Sequence, residues 1–147
     1  MIIKKLHNPE AMRRLGAGLA GYLRAGDVLA LTGGLGTGKT TLSRGLIQAL
    51  CDVEPVPSPT YTLVQTYRAA EFEIWHCDLY RLEEPEDIYE LGVLDAMEEK
   101  VVLIEWPERM SGFLPDERLR VHIDFEGEGR IIKFSGSPAL IDKLQSV

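Results

Sequence analysis

The sequence predicts an α/β fold of three layers, with a mainly parallel central sheet, helices packed against it and additional antiparallel hairpins. Segments of strand and helix periodicity alternate along the 147 residues, an order typical of layered α/β folds. Val28–Thr32 and Val101–Glu105 are almost continuous apolar runs, as expected of parallel strands buried on both faces. No linker or internal repeat divides the chain, so we expect residues 1–147 to form a single domain.

The N-terminal part of the chain predicts two strands and two helices in alternation. Ile2–Leu6 is predicted as a short first strand. Asn8 followed by Pro9 predicts the start of a helix, because asparagine caps helix N-termini and proline fits the first turn. Helical spacing then marks the buried stripe of this helix: Met12, Leu15, Leu19 and Leu23. The strand Val28–Thr32 leads into a glycine-rich loop, and a second helix is predicted to begin near Lys39.

The middle of the chain predicts a stiff loop followed by two paired strands. Residues 54–60 contain three prolines, which restrict the backbone to extended conformations. Residues 61–69 and 71–80 are rich in aromatic and β-branched side chains and are separated by few residues. We therefore expect them to form an antiparallel pair.

The C-terminal part predicts a short helix, a buried strand and a hairpin. The short helix begins at Pro85 and ends near Gly92, ahead of the strand Val101–Glu105. Residues 119–126 and 130–135 alternate in polarity around a Gly-Glu-Gly turn, which favours a hairpin. Residues 138–144 are predicted as a terminal helix.

The charge is distributed unevenly along the chain. Residues 1–70 carry 8 Lys or Arg against 4 Asp or Glu, whereas residues 71–128 carry 5 against 18, and the whole chain has a net charge of -7. Phosphate contacts supply most of the affinity of nucleic-acid-binding proteins, so an acidic chain is a poor binder on its own. If RNA is involved, we expect a partner to bind it. The acidic region is either a solvated surface or a docking face for a basic partner.

The sequence also predicts a cytoplasmic location without membrane contact. No apolar run approaches the 18 residues of a membrane-spanning helix, and the N-terminus lacks the apolar segment of a secretory signal. The two cysteines, Cys51 and Cys77, follow no metal-ligand spacing and are expected to be reduced thiols.

Gly33-x-x-x-x-Gly38-Lys39-Thr40 matches the phosphate-binding P-loop, and it stands between a predicted buried strand and a predicted helix. Glycines allow successive backbone N–H groups to point at phosphate oxygens, and the helix N-terminus adds partial positive charge. Lys39 is expected to reach the β- and γ-phosphates, and the Thr40 hydroxyl to ligate Mg²⁺. The sequence thus predicts a P-loop NTPase that binds ATP or ADP with Mg²⁺.

Besides the hydroxyl of the loop, a P-loop requires a carboxylate near the metal, and the end of a neighbouring parallel strand can supply it. Glu105 follows four apolar residues at the end of Val101–Glu105, in the arrangement known as Walker B. Ligands bind at this edge of open α/β sheets. We therefore expect Thr40 and Glu105 to hold Mg²⁺, the alternative for Glu105 being an ordinary surface position.

Four further residues are candidates with open alternatives. Thr60 lies where a nucleotide-sensing switch usually sits, but its hydroxyl also suits a strand cap. Asp78 shares a strand face with His76, and either orients the attacking water or pairs with Arg81 as structure. His76 fits a satisfied buried histidine better than a functional one. Trp106 is either a packing residue or a lid over the nucleotide.

Together these motifs resemble the TsaE family, the small bacterial ATPases also called YjeE. The resemblance rests on GGLGTGKTT (33–41), SPTYTLV (58–64), HCDLYRL (76–82), ELG (90–92), IEWPE (104–108) and a late Gly129-Arg130. It covers nearly the whole chain. It implies a cytosolic ATPase, weakly active alone, that works with the TsaB–TsaD complex to form threonylcarbamoyladenosine in tRNA beside the anticodon. It also implies that TsaD performs the transfer, that this chain contacts tRNA only through the complex, and that ATP hydrolysis supports repeated turnover.

The resemblance also implies a set of site residues. It implies catalytic or switching roles for Thr60, Asp78 and Glu105 beside the loop lysine, and Mg²⁺ ligation by Thr40 and Glu105. The residues implied at the nucleotide are Met12, Gly33, Gly34, Leu35, Gly36, Thr37, Gly38, Lys39, Thr40, Thr41, Trp106 and Arg130.

Three positions depart from the family pattern. The family loop usually reads GDLGAGKT, whereas this chain has Gly34 in place of the aspartate and Thr37 in place of the alanine. Because backbone N–H groups build the phosphate cradle, neither change removes a phosphate ligand. Met12 stands where family members often carry threonine, so it offers no hydroxyl to the nucleotide.

Two other classes of function use the same loop. A small-molecule kinase would need an acceptor pocket and an arginine-bearing lid, and the segment between Gly92 and Glu105 shows no such insertion. A nucleotide-gated scaffold would bind ATP with negligible turnover.

Overall fold

The computed structural model describes residues 1–52 and 56–147, and within them seven strands form one sheet. The spatial order of the strands is β1-β7-β6-β2-β5-β4-β3. Their bounds are β1 Ile2–Leu6, β2 Val28–Thr32, β3 Val64–Arg68, β4 Glu73–Asp78, β5 Val101–Glu105, β6 Leu119–Glu126 and β7 Gly129–Gly136.

The centre of the sheet is parallel and its margins are antiparallel. β2 pairs in parallel with β5 on one side and with β6 on the other, and β4 continues the parallel set beyond β5. β3 runs antiparallel to β4, and β7 runs antiparallel to both β6 and β1. This arrangement confirms the predicted α/β sheet with a mainly parallel centre and antiparallel hairpins.

Five α-helices lie in the described part of the chain. They are α1 Pro9–Ala20, α2 Lys39–Cys51, α3 Ile88–Leu91, α4 Val93–Glu99 and α5 Pro138–Leu144. Short 3₁₀ segments occupy Pro85–Asp87 and Pro107–Phe113. Every helix in this part of the chain is too short or too polar to cross a lipid bilayer.

The two faces of the sheet carry two separate apolar cores, which makes the fold three-layered. Leu29, Leu31 and Leu103 project to the face covered by α1 and α2. Val102 and Ile104, from alternate positions of β5, project to the opposite face, which α3 and α4 cover. β5 is buried at all five positions, as expected of a strand covered on both sides.

Helices α1 and α2 pack closely because each contributes a glycine that lies against the backbone of the other. A Cβ atom at Gly45 would lie 2.0 Å from the carbonyl oxygen of Arg13, and one at Gly16 would lie 2.1 Å from that of Leu42. This close approach fixes the position of α2, whose N-terminus is the end of the phosphate loop. The predicted cap of α1 is present, since the Asn8 side chain accepts a hydrogen bond from the N–H of Ala11 at 2.8 Å.

One strand prediction in the middle of the chain was wrong at its start, and two short elements were not predicted. The strand predicted over residues 61–69 begins only at Val64, because Leu63 adopts a left-handed conformation with φ 68° that breaks the extended backbone. Helix α4 and the 3₁₀ segment Pro107–Phe113 were not predicted. Of the predicted proline-rich loop 54–60, residues 54 and 55 lie outside the described residues.

Candidate functional site

The glycine-rich loop connects the end of β2 to the first turn of α2. Gly33, Gly36 and Gly38 have φ values of 141°, 77° and 116°, which residues with a side chain adopt only under strain. A Cβ atom at Gly38 would also lie 3.0 Å from the Met12 Cε atom. The loop therefore depends on glycine at these positions, and it delivers the chain to the N-terminus of α2, where backbone N–H groups favour an anion.

Lys39 is buried beneath this loop and aims at its carbonyl groups. Its Nζ atom donates to the carbonyl oxygens of Gly33 at 2.7 Å and Gly34 at 2.8 Å, and the residue is 5% exposed. Burial lowers the pKa of Lys39, and the carboxylates of Glu105 and Asp78 oppose this shift only in part. A phosphate group would supply the negative charge that a buried ammonium lacks.

Glu105 ends β5, and its carboxylate contacts one residue at the end of the loop and one on β4. Its Oε1 atom accepts a hydrogen bond from the Thr40 hydroxyl at 2.8 Å, and its Oε2 atom lies 2.6 Å from His76 Nε2. The residue is 2% exposed. Hydroxyl and carboxylate oxygens beside a phosphate loop are the donors that Mg²⁺ prefers. The residues present therefore fit a magnesium ion held by Thr40 and Glu105.

Asp78 lies beside Glu105, because their positions pair across β4 and β5. Its Oδ2 atom accepts a hydrogen bond from the Thr60 hydroxyl at 3.0 Å, and its Oδ1 atom accepts one from the N–H of Tyr80 at 3.0 Å. Arg81, the alternative partner, instead lies over the ring of Tyr61. The carboxylate thus connects the sheet edge to the segment that carries Thr60.

Trp106 packs against Tyr80 and also covers the loop lysine, Lys39. Its ring centroid lies 4.2 Å from Lys39 Nζ and 5.0 Å from the ring of Tyr80. Its backbone has a φ of 59°, a conformation that is costly for a bulky residue and is often associated with functional sites. The tight turn directs the chain away from the sheet immediately after Glu105 and places the indole over the lysine.

Two adjoining pockets surround the loop. The smaller, of about 190 Å³, is lined by Leu35, Gly36, Thr37, Gly38, Lys39, Thr40, Thr41, Glu105 and Trp106. The larger, of about 280 Å³, is lined by Asn8, Pro9, Met12, Gly36, Thr37, Gly38, Thr41, Glu128, Gly129 and Arg130. The first has the lysine and carboxylate expected at phosphates, and the second has the mixed apolar and polar lining expected at a nucleoside.

Arg130 ties the loop to the hairpin of β6 and β7. Its guanidinium donates to the carbonyl oxygens of Thr37 at 3.0 Å and Gly36 at 3.2 Å, and it lies over the ring of Phe125. Met12 is 2% exposed and packs below the loop at Gly38. The predicted nucleotide-binding residues are therefore brought together, while their functional roles stay predictions.

Some contacts at the site were not predicted from the sequence. The bond between His76 and Glu105 joins residues 29 positions apart, and period-2 alternation alone placed His76 on the correct face without naming its partner. Asn8, Pro9 and Glu128 line the larger pocket because the β6–β7 hairpin and the start of α1 meet at the loop. At Gly34 no atom lies within 4 Å of the place that a Cβ would occupy, so the first atom of a side chain would meet no neighbour there.

A glycine-rich loop between a buried parallel strand and a helix, with a strand-end carboxylate beside it, defines a P-loop NTPase fold. The family model described as "Threonylcarbamoyl adenosine biosynthesis protein TsaE" matches residues 6–132. The chain therefore belongs to the TsaE family.

Individual relatives agree with this assignment. The chain is 39% identical over 146 residues to a protein of Rickettsia felis named "tRNA threonylcarbamoyladenosine biosynthesis protein TsaE", covering 96% of this chain and 85% of the relative. A Bacillus subtilis protein of the same name is 34% identical over 122 residues, with 82% and 76% covered. The crystal structure of YdiB from Bacillus subtilis superposes with a TM-score of 0.79 at 26% identity, covering 99% of this chain and 94% of that chain.

Proposed function

We propose that this chain is a cytoplasmic, Mg²⁺-dependent ATPase of one domain that acts with the TsaB–TsaD complex in forming threonylcarbamoyladenosine in tRNA. The observation that carries the ATPase part is the bond between Thr40 and Glu105, 2.8 Å long, directly beside Lys39. It joins the helix after the P-loop to the neighbouring parallel strand, the arrangement in which P-loop NTPases hold a metal ion.

Each residue of the site has a distinct role in this proposal. Lys39 and the N-terminus of α2 bind the phosphates, and Thr40 and Glu105 would hold Mg²⁺, which when bound would supply positive charge at the phosphates. Asp78 orients the attacking water. The water oxygen bonds to the γ-phosphorus, the bond from that phosphorus to the β–γ bridging oxygen breaks, and Asp78 accepts the proton of the water.

Thr60 is proposed to report the state of the nucleotide. Its hydroxyl is already bonded to Asp78 at 3.0 Å and lies 2.8 Å from the Ser58 hydroxyl. A γ-phosphate beside Asp78 would compete for the Thr60 hydroxyl and shift the segment that carries it. Such a segment is a recurring way to convert nucleotide state into partner binding.

The tRNA part of the proposal rests on the family and on the charge of the chain. The relatives carry names that assign them to tRNA threonylcarbamoyladenosine biosynthesis. The net charge of -7 disfavours direct binding of tRNA, because phosphate contacts require Lys and Arg. The proposal therefore has TsaB–TsaD bind the tRNA, while this chain supplies ATP hydrolysis for repeated turnover.

The ATPase part is tested by phosphate release from ATP with purified variants. Lys39→Ala is expected to abolish nucleotide binding. Glu105→Ala is expected to lower Mg²⁺-dependent hydrolysis about 100-fold or more, while ADP still binds. Glu99→Ala, an exposed position at the end of α4, is the matched control and should leave the rate unchanged. Hydrolysis at the wild-type rate by the Glu105 variant would remove its assignment, and a phosphorylated metabolite in place of free phosphate would indicate a kinase.

The partner part is tested by reconstitution. TsaB–TsaD, the threonylcarbamoyl donor and tRNA are combined with or without this chain and ATP, and modified adenosine is counted per complex. We expect modification beyond the first turnover to require both the chain and hydrolysable ATP. Equal turnover without the chain refutes the accessory role, and full turnover with a non-hydrolysable ATP analogue favours the scaffold.

A further inference from the structure

His76 is a fully buried polar residue on the apolar face of β4. Alternation along the strand places Ile74, His76 and Asp78 on the face that packs against α1 and α2, next to Leu103 and Glu105 of β5. The histidine is 0% exposed. An apolar side chain at this position would continue the core between Ile74 and the sheet edge.

The hydrogen bonds of this histidine are incomplete. Its Nε2 atom lies 2.6 Å from Glu105 Oε2, and because a carboxylate only accepts, Nε2 carries the hydrogen and donates. Its Nδ1 atom has no hydrogen-bond partner in the described part of the chain. Burying an imidazole with one unpaired nitrogen is a poor way to stabilise a core. The value of His76 therefore lies in the single bond that it makes.

That bond divides the two oxygens of Glu105 between two neighbours. Oε2 is held by His76 from within the sheet, and Oε1 faces the Thr40 hydroxyl at the N-terminus of α2. A rotation that exchanged the two carboxylate oxygens would break both of these contacts. Oε1 is left as the oxygen that faces the phosphate loop.

We propose that His76 is a positioning residue for Mg²⁺ binding, which acts through Glu105 and touches neither the metal nor the nucleotide. This inference rests on the proposed function, in that Glu105 is taken to hold Mg²⁺. Partners that hydrogen-bond a metal ligand orient it, and their loss typically weakens metal binding about 10- to 100-fold. A purely structural histidine would affect folding without altering the response to Mg²⁺.

The test measures ADP binding across a series of Mg²⁺ concentrations and in EDTA, so that hydrolysis plays no part. His76→Gln retains an amide donor near the position of Nε2, whereas His76→Asn places its amide near Nδ1, too short to reach Oε2. His76→Met removes the donor with a side chain suited to a core and serves if the Asn variant does not fold. Ile74→Val, on the same strand and face, is the control for altered packing.

We expect His76→Asn and His76→Met to raise the half-saturating Mg²⁺ concentration about 10-fold or more, with ADP affinity in EDTA unchanged. His76→Gln should restore most of the response, and Ile74→Val should match the unaltered protein. In a Glu105→Ala background, where the ligand is already lost, His76→Asn should have no further effect on the Mg²⁺ response.

Two results overturn the inference in distinguishable ways. If His76→Asn and His76→Met respond to Mg²⁺ as the unaltered protein does, or shift together with Ile74→Val, His76 has no positioning role while the proposed magnesium site stands. If the unaltered protein binds ADP equally well in Mg²⁺ and in EDTA, the proposed magnesium site fails and the inference fails with it.

Discussion

Replacing Gly33 by alanine is expected to deform the phosphate loop, whereas the same change at the adjacent Gly34 is expected to be tolerated. At Gly33 the backbone has a φ of 141°, and a Cβ atom would lie 2.4 Å from the carbonyl oxygen of Ile123 and 2.8 Å from Thr37 Oγ1. The oxygen of Ile123 belongs to β6, so relief of this overlap requires either the loop to move away from the sheet or the strand itself to shift. At Gly34 the φ is not in the left-handed region, and no atom lies within 4 Å of the added carbon.

The two changes should differ by several kcal/mol in the free energy of unfolding. A side chain in the glycine-only region at Gly33 costs about 1–3 kcal/mol, and overpacking against a fixed carbonyl costs about 1–3 kcal/mol more. Gly34→Ala avoids both costs and restricts the unfolded chain, which stabilises by about 0.4–1 kcal/mol. Since a domain is stable by only about 5–15 kcal/mol, Gly33→Ala removes a large fraction of the total.

Urea unfolding of the two variants and the unaltered protein measures this difference, and ADP titration measures the state of the loop. Gly33→Ala should unfold at a clearly lower urea concentration and bind ADP weakly or not at all. Gly34→Ala should unfold at the same or a higher concentration and retain ADP binding. Equal urea midpoints for the two variants would refute the reasoning, because the expected difference arises from the conformation and the crowding described above.

Three further predictions concern the loop and the core. Arg130→Met removes the side-chain donors to the carbonyl oxygens of Thr37 and Gly36. It should weaken ADP binding by about 1–2 kcal/mol, which calorimetric titration measures. An unchanged affinity would contradict a role of Arg130 in holding the loop. Burial lowers the pKa of Lys39, so its charge, and with it ADP affinity, should be lost at lower pH than for an ordinary lysine. In a series of increasingly alkaline buffers, ADP affinity should fall for the unaltered protein but not for the Lys39→Arg variant, because arginine stays charged. Burial raises the pKa of the Cys77 thiol, so a disulfide reagent should modify it only in denaturant; equal rates for native and unfolded protein would contradict its burial.

The strands and helices with strong local signals could be predicted from the sequence. Val101–Glu105 is apolar at four successive positions, and a five-residue strand buried on both faces is what that run requires. The N-cap at Asn8 and the loop from Gly33 to Lys39 follow from residue types whose backbone preferences are local. The loop follows one buried strand and Glu105 ends another. Since both lie at the carboxyl ends of parallel strands, the sequence indicated that the site lies at that edge of the sheet.

The other parts of the fold and the site could not be predicted, because they depend on contacts between distant segments of the chain. Helix α4, Val93–Glu99, is only seven residues long, and so short a helix is formed mainly by its packing against β5 rather than by its own propensity. The left-handed conformation of Trp106 arises where the chain must leave the sheet edge, which no local pattern encodes. His76 was interpreted as a satisfied core histidine, because its partner is 29 positions away.

The geometry of the site depends on strand register as well as on the loop. Asp78 pairs directly with Glu105 across β4 and β5, and the N–H of Leu79 continues the pairing with a bond of 3.0 Å to the carbonyl oxygen of Glu105. Because side chains alternate between the faces of a sheet, a slip of one residue in β4 would turn both His76 and Asp78 into the opposite core. Lys39 and Thr40 would then remain on α2 without the side chains of β4 that complete the site. The register of β4 against β5 therefore decides whether His76 and Asp78 join the site, whereas β5 and α2 place Glu105, Lys39 and Thr40.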